Sequence, residues 1–492
     1  MALPHPFFLV LFLLLLSNSY SRAASSVYTS ITLKAHREYL KLKISSGDSY
    51  ASQALKSDPD NAAALLVANY GDFLTLCIQQ NATAFESLLL KQENRLAKIE
   101  ALKEKSAWKD YALAEVKMQV GISKLLFGNR LSAAWDIRIA YLQYIANAKR
   151  HPQFLPNKKT LGMMQVLIGS VPDNYRWFLN IIGMKGDIET GMSNLKAAAI
   201  GENPFQEEAQ IIYALTLQLL DQKKEGYSIR IVENLAEQEP DNLLFRFAAI
   251  HLLKKTKHTD EALSLYQKKP NSRQYLTFPY LRHMAADMYL YNGNYDASIR
   301  ENQLFLKQHK GEHYIKAAHF KLYLAYLLSN HPPQALWYYK QISEVGKNEI
   351  EEDKYAARFV EKQEQPERNL LIARLRSDGG YYQQALKALE EIEPSPETPL
   401  AVRAEYQYRK ARIHHGLEEE EMAIRYYKNT IAVCSSSGLY FAPHAALQLG
   451  YLYQELNRKD LAKAYFKKAM AYQDHEYKGS IDAKAKLALS AL

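Results

Sequence analysis

The 492-residue chain has two cysteines, Cys77 and Cys434, one in each half. Two thiols so far apart staple no framework, and their apolar surroundings predict buried free thiols. Strand signals are missing: no alternating β-branched runs bounded by Gly or Asn turns occur. There is no Gly-rich phosphate loop, no Gly-x-Ser-x-Gly elbow, no His-Glu-x-x-His and no Cys-x-x-Cys. The adjacent His414 and His415 point about 100° apart on a helix, and His313 and His319 are also poorly spaced, so neither pair makes a metal site. The acidic run Glu418–Glu421 suits a helix N-terminus. Neither charge sign dominates, with 62 Lys and Arg against 53 Asp and Glu for a formal +9. The two signs are interspersed, which describes a solvated helical surface and argues against nucleic acid as partner. The composition therefore points to a non-enzymatic chain with no cofactor and no metal.

Long apolar runs are scarce too. Residues 7–16, FFLVLFLLLL, are too short to span a bilayer unaided. Ser21-Arg22-Ala23 follows as a small-x-small cleavage pattern, so residues 1–23 read as a signal peptide and Ala24 as the mature N-terminus. MALPHP lacks Lys and Arg, which leaves an uncleaved anchor as the alternative. No later stretch reads as a transmembrane span. The expected address is periplasmic or secreted, of bacterial type, in preference to a eukaryotic secretory route. Asn81-Ala82-Thr83 is a sequon that matters only in the latter.

What is abundant is helix. Ala, Leu, Lys, Glu and Gln dominate at helical spacing. One pattern recurs: a small residue, twelve positions, then another small residue. It joins Gly450 to Ala462, Ala411 to Ala423, Ala373 to Ala385 and Ala286 to Ser298. Thr216 to Ser228 and Tyr323 to Ala335 share the spacing, although Tyr323 puts a bulky ring at a small-residue position. Small residues let two helices of a pair cross closely. The second-helix anchors 228, 262, 298, 335, 385, 423 and 462 step by 34, 36, 37, 50, 38 and 39. The step of 50 leaves room for an additional helix at 349–361.

Leu449, Gly450 and Tyr453, followed by Ala462 and Phe466, resemble the tetratricopeptide repeat, whose period is 34 residues. The resemblance covers the C-terminal half and implies an all-α fold: an α-α superhelix in which stacked pairs present first-helix side chains on a concave face. Residues 204–475 form the expected array and 476–492 a C-terminal capping helix or tail. Residues 24–200 form an irregular helical region, as in exported bacterial proteins of this type. There Leu88, Leu89, Ile99, Leu102 and Val116 supply buried stripes. The segment 170–196, with Pro172, Asp173, Gly183 and Gly186, reads as a packed corner.

In that family the concave groove grips an extended peptide or a partner's helix, so the expected partner is a protein or peptide. Aligned on the crossings, the first-helix residues directed into the groove are Tyr280, His283, Asp287 and Tyr291, then Phe320 and Arg374. Tyr408, Arg412 and His415 follow, then Tyr451 and Gln454. This mixture suits a peptide, with rings holding apolar side chains and Arg374 and Arg412 forking onto oxygens. The alternative is an exported glycan or small-molecule binder, whose Tyr-rich groove draws on 35 tyrosines.

Overall fold

The computed structural model describes residues 27–171, 179–221, 224–392, 394–434, 436–490 and 492. The expected signal peptide, Pro172 and Asp173 lie outside them. Among the described residues there are helices and turns and no strand. The N-terminal half contains α1 (Ser30–Leu40), α2 (Ile44–Ser57), α3 (Ala62–Gln79), α4 (Ala82–Ala101), α5 (Ala107–Leu126), α6 (Arg130–Arg150), α7 (Leu155–Gly169) and α8 (Ile188–Ile200). Pairs then follow as α9 (Gln206–Leu220) with α10 (Glu225–Gln238), α11 (Leu243–Lys255) with α12 (Thr259–Gln267), and α13 (Pro279–Tyr291) with α14 (Tyr295–Gln308). The next are α15 (Ile315–Leu328) and α16 (Pro332–Glu344), an inserted α17 (Glu351–Glu361), and α18 (Arg368–Asp378) with α19 (Tyr382–Glu390). The chain ends with α20 (Leu400–Gly416), α21 (Glu420–Cys434), α22 (Phe441–Glu455), α23 (Lys459–Ala471) and α24 (Lys478–Ser490).

One turn makes the pairs. In six of them a residue with positive φ stands five positions before the second-helix anchor: Lys257, Gly293, Asn330, Gly380, Glu418 and Asn457. The next backbone N–H then donates to the carbonyl five residues back, as in His258 to Leu253 at 2.8 Å and Arg458 to Tyr453 at 2.8 Å. This is the Schellman closure, which needs a left-handed residue and satisfies carbonyls a helix end leaves unpaired. The nine small residues Ala286, Ser298, Ala335, Ala373, Ala385, Ala411, Ala423, Gly450 and Ala462 are all buried. Ser298 donates its hydroxyl across a crossing to the Ala286 carbonyl at 2.8 Å. A Cβ on Gly450 would stand 2.5 Å from the ring of Phe466, which is itself buried. Tyr323 is accommodated by meeting Tyr339 edge to face at 5.3 Å.

Two pairs of the N-terminal half obey the same rule. Leu42 and Gly128 have positive φ. They precede by five positions Gly47 and Ala133, which lie twelve beyond Ala35 and Gly121. The other glycines make a corner: Gly162 on α7 and Gly191 on α8 cross so closely that a Cβ on either would stand 2.7 Å from the other's carbonyl. Asn81 caps α4 by accepting from the Thr83 amide at 3.1 Å and hydroxyl at 2.9 Å. Cys77 and Cys434 are free and buried. Among the described residues one helix, α3, is long and apolar enough to cross a membrane by length and composition. It is instead a core helix, with 83% of that stretch buried inside the fold.

The N-terminal half docks on the array. Lys41 and Lys43 pair with Asp241 at 2.9 and 3.2 Å, and the Leu276 amide donates to the Leu42 carbonyl at 2.7 Å. Farther on, α18 returns against α13, with Arg376 donating to the Tyr291 carbonyl at 3.3 Å. Gly380 lies so close to the α11–α12 turn that a Cβ there would meet the Lys257 carbonyl. This closure turns the inner faces of α11, α13, α15, α17 and α18 toward one space.

Candidate functional site

That space is a cavity of about 430 Å³ walled by first helices of the pairs and by the inserted α17. Asp287, Tyr291, Phe320 and Arg374 line it together with Lys254, Lys321, Glu352, Tyr355, Arg358 and Tyr477.

One pole is a closed ion network. Lys254 reaches Asp287 at 2.5 Å, and Lys321 reaches Asp287 at 2.7 Å and Glu352 at 2.9 Å. Burial opposes the charge on Lys321, but the two carboxylates override it and hold its pKa above the ordinary lysine value. Burial likewise opposes charge on Asp287 and Glu352, and the ammonium groups prevail, holding both below the carboxylate range. Burial and then Lys321 depress His283, so its ring is neutral. The Lys321 ammonium donates to His283 Nε2 at 2.6 Å. His283, Asp287 and Glu352 offer ligand atoms within 4.8 Å of one another, the spacing of a metal site. The Lys321 ammonium lies against all three and is the cation they hold.

The other pole holds cations that no carboxylate neutralises directly. Arg374 donates to the Tyr355 hydroxyl at 2.7 Å and lies 5.6 Å from that ring, while its Nε is buried without a partner. Burial opposes the Arg374 charge, and the fields of Tyr355, Asp378 and Glu405 keep it protonated. The Arg358 guanidinium lies 5.6 Å from the Tyr477 ring. Neither arginine has a carboxylate in ion-pair contact among the described residues. Guanidinium on an aromatic face, with donors left over, is suited to fork onto carboxylate or carbonyl oxygens.

The structure divides the eleven residues expected in the groove. Tyr280, His283 and Tyr408 are buried in the core, which corrects that placement. Tyr280 packs on Tyr314 at 4.7 Å, and Tyr408 on Phe441 at 5.7 Å. The physical reason is that a first-helix side chain directed away from its own second helix meets the neighbouring first helix before it meets solvent. Arg412 donates to Gln448 at 2.5 Å, and His415 meets Tyr427 at 3.1 Å and Glu455 at 3.5 Å. Tyr451 packs edge-on against Phe466 at 5.2 Å, and Gln454 is half-buried. His414 stacks on Tyr426 on the other side of α20. Lys254, Lys321, Arg358 and Glu352 were missed. Glu352 and Arg358 belong to α17, which stands outside the repeat spacing and could not be aligned with it.

A second polar cluster lies in the N-terminal half. Lys159 pairs with Glu208 at 2.6 Å and Glu115 at 3.2 Å, and His36 meets Glu208 at 2.9 Å. Tyr144 and Thr160 donate to Glu115 at 2.6 and 2.8 Å. These side chains are shut off from solvent.

Residues 443–474 match the family model described as Tetratricopeptide repeat. The chain carries a tetratricopeptide repeat. Its fold is the all-α superhelix of such repeats, a fold that generally serves as a protein-interaction scaffold. No curated protein sequence matches the chain. Similar solved structures include a human IFIT1 dimer with PPP-AAAA, at 13% identity and TM-score 0.38, covering 94% of this chain and 93% of that one. The human IFIT1 dimer with m7Gppp-AAAA has 15% identity and TM-score 0.32, with 99% and 94% covered. The APC/C hetero-tetramer Cut9-Hcn1 has 11% identity and TM-score 0.27, with 95% and 97% covered. Likeness of this depth carries no ligand from those proteins to this one.

Proposed function

We propose that this tetratricopeptide-repeat chain is an exported, non-enzymatic scaffold that holds an extended segment of a protein partner along its inner face. The supporting observation is the arginine pole of the cavity: Arg358 and Arg374 lie on tyrosine rings, have no carboxylate in ion-pair contact among the described residues, and face about 430 Å³ of open space. Backbone carbonyls and acidic side chains supply the oxygens such guanidinium groups require. The apolar wall formed by Leu290, Phe320 and Leu324 takes the segment's apolar side chains. Export rests on the apolar block 7–16 and Ser21-Arg22-Ala23.

The test is capture from a periplasmic extract by the immobilised mature chain, followed by identification of the bound protein. Replacing Arg358 and Arg374 together with Ala is expected to remove capture while helicity and melting temperature stay near the unaltered values. Undiminished capture refutes the cavity as the site. Tyr291, Tyr355 and Tyr477 in the cavity wall support the second reading, a glycan ligand. Retention on a glycan array without any protein partner decides for it. N-terminal sequencing of the exported protein is expected to begin at Ala24, and retention of residues 1–23 on membranes overturns cleavage.

A further inference from the structure

Tyr477 differs from the other residues lining the cavity. They all stand on helices, whereas Tyr477 comes from the connection between α23 and α24. Its ring is clasped by Arg358 at 5.6 Å, by Tyr440 edge-on at 5.3 Å and by His444 edge-on at 5.8 Å. The preceding residue, Glu476, forms an ion pair with Lys362, one helical turn beyond Arg358. The connection adopts a costly backbone to reach this position. Asp474 and Tyr477 have φ of 54° and 66°, and neither is glycine. Two left-handed residues within four positions seat one ring and one carboxylate on a basic, aromatic surface.

We infer that Glu476–Tyr477 is an internal occupant of the ligand site, and that the site takes a segment of a protein partner in which an acidic residue adjoins an aromatic one. The inference rests on the scaffold reading above and names its ligand. Lys362 reads the acid, and Arg358 together with the walls of Tyr440 and His444 reads the ring. A tethered occupant acts at high effective concentration, so it lowers the apparent affinity of any segment arriving from outside. The unliganded chain therefore fills the Arg358 edge of the site with its own Tyr477 and leaves the rest of the cavity open, and a partner binds by displacing the strap.

The experiment uses the full mature chain and a fluorescein-labelled synthetic peptide of residues 473–479, QDHEYKG, read by fluorescence anisotropy. Tyr477→Gly removes the ring at a φ that glycine accepts freely, so the backbone is retained. This variant is expected to bind the peptide at least ten-fold tighter than the unaltered chain. Changing the peptide's Tyr to Ala, or its Glu to Gln, is expected to weaken binding to Tyr477→Gly about ten-fold, as is Arg358→Ala in the chain. If Tyr477→Gly melts lower than the unaltered chain, Glu476→Gln serves instead. It loosens the strap and keeps the ring, and a gain of several-fold is expected. The inference is overturned if neither variant gains affinity, or if the Ala peptide binds as well as the Tyr peptide. Partner capture that still depends on Arg374 would then leave the scaffold reading standing, whereas capture indifferent to both arginines removes that reading too.

Discussion

Lys321→Met tests whether the ammonium, and no missing metal, completes the charge network of the cavity. In the native chain Lys321 touches Asp287, Glu352 and His283 Nε2 at 2.7, 2.9 and 2.6 Å. Removing one member of a buried ion network costs about 3–5 kcal/mol, because the partners stay buried without their counter-charge. Two features place this case at the low end. Asp287 keeps Lys254 at 2.5 Å, and the Glu352 side chain is 30% exposed, so water screens part of the loss. The expected cost is about 3 kcal/mol, read as a lower urea midpoint with unchanged slope. The substitution also unveils ligand atoms lying within 4.8 Å of one another. Zinc bonds of about 2.0–2.2 Å require only a modest closing of that triad. Zinc at 100 times its Kd would return about 2.7 kcal/mol. Urea unfolding of the variant with and without zinc is the assay, and Lys321→Met with Asp287→Asn is the control that should lose the rescue. The reasoning is refuted if zinc stabilises the native chain equally, or if Lys321→Met unfolds at the native midpoint.

Three further outcomes are expected. Gly450→Ala should destabilise by about 1–2 kcal/mol, since overpacking against the buried Phe466 exceeds the helix-propensity gain. Gly226→Ala, where a Cβ meets nothing within 4 Å, should be neutral or stabilising; equal denaturation shifts for the two would contradict the crossing. Glu418→Gly should stabilise by about 1 kcal/mol in the same measurement, because φ of 60° there suits glycine and strains glutamate. Burial, reinforced by nearby cations, lowers His251 and His444 to about 3, and burial with neighbouring histidines lowers His309 to about 4. The folded chain keeps these rings neutral while the unfolded chain protonates them below about 6.5. Stability is thus complete above that pH and falls as pH drops toward 4. Allowing for partial exposure, the loss is about 1 kcal/mol per histidine per pH unit. A flat urea midpoint between pH 7 and 4.5 would refute this, and His444→Gln should lessen the slope.

The helix pairs were legible because their cause is local. A residue in the left-handed turn, a small residue five positions later and another twelve before it are set by the geometry of two helices meeting at one short loop. Gly450 and Ala462 could therefore be read in order along the chain, while the left-handed turn at Asn457 between them is set by the same geometry. The same signal was present at Ala35 and Gly47 and at Gly121 and Ala133. It falls outside the array's period because α3 and α4 separate the two pairs, and α7 and α8 separate them from the array. Asp287, Tyr291, Phe320 and Arg374 could be placed on the inner side from helical phase alone. Phase does not say whether the inner side meets solvent or another helix, and so Tyr280, His283 and Tyr408 were misplaced. The cavity itself was not legible. It exists because α18 returns to α13 across 76 residues, because α17 is inserted outside the repeat, and because Tyr477 reaches back from the far end. Lys254, Asp287, Lys321 and Glu352 lie on four different helices, and only superhelical closure brings their charges within contact. Sequence alone therefore determined the pairing of neighbours, a short-range matter of turn and crossing. The site depends on contacts between distant units, whose register is the sum of many small rotations, and only the tertiary structure decided it.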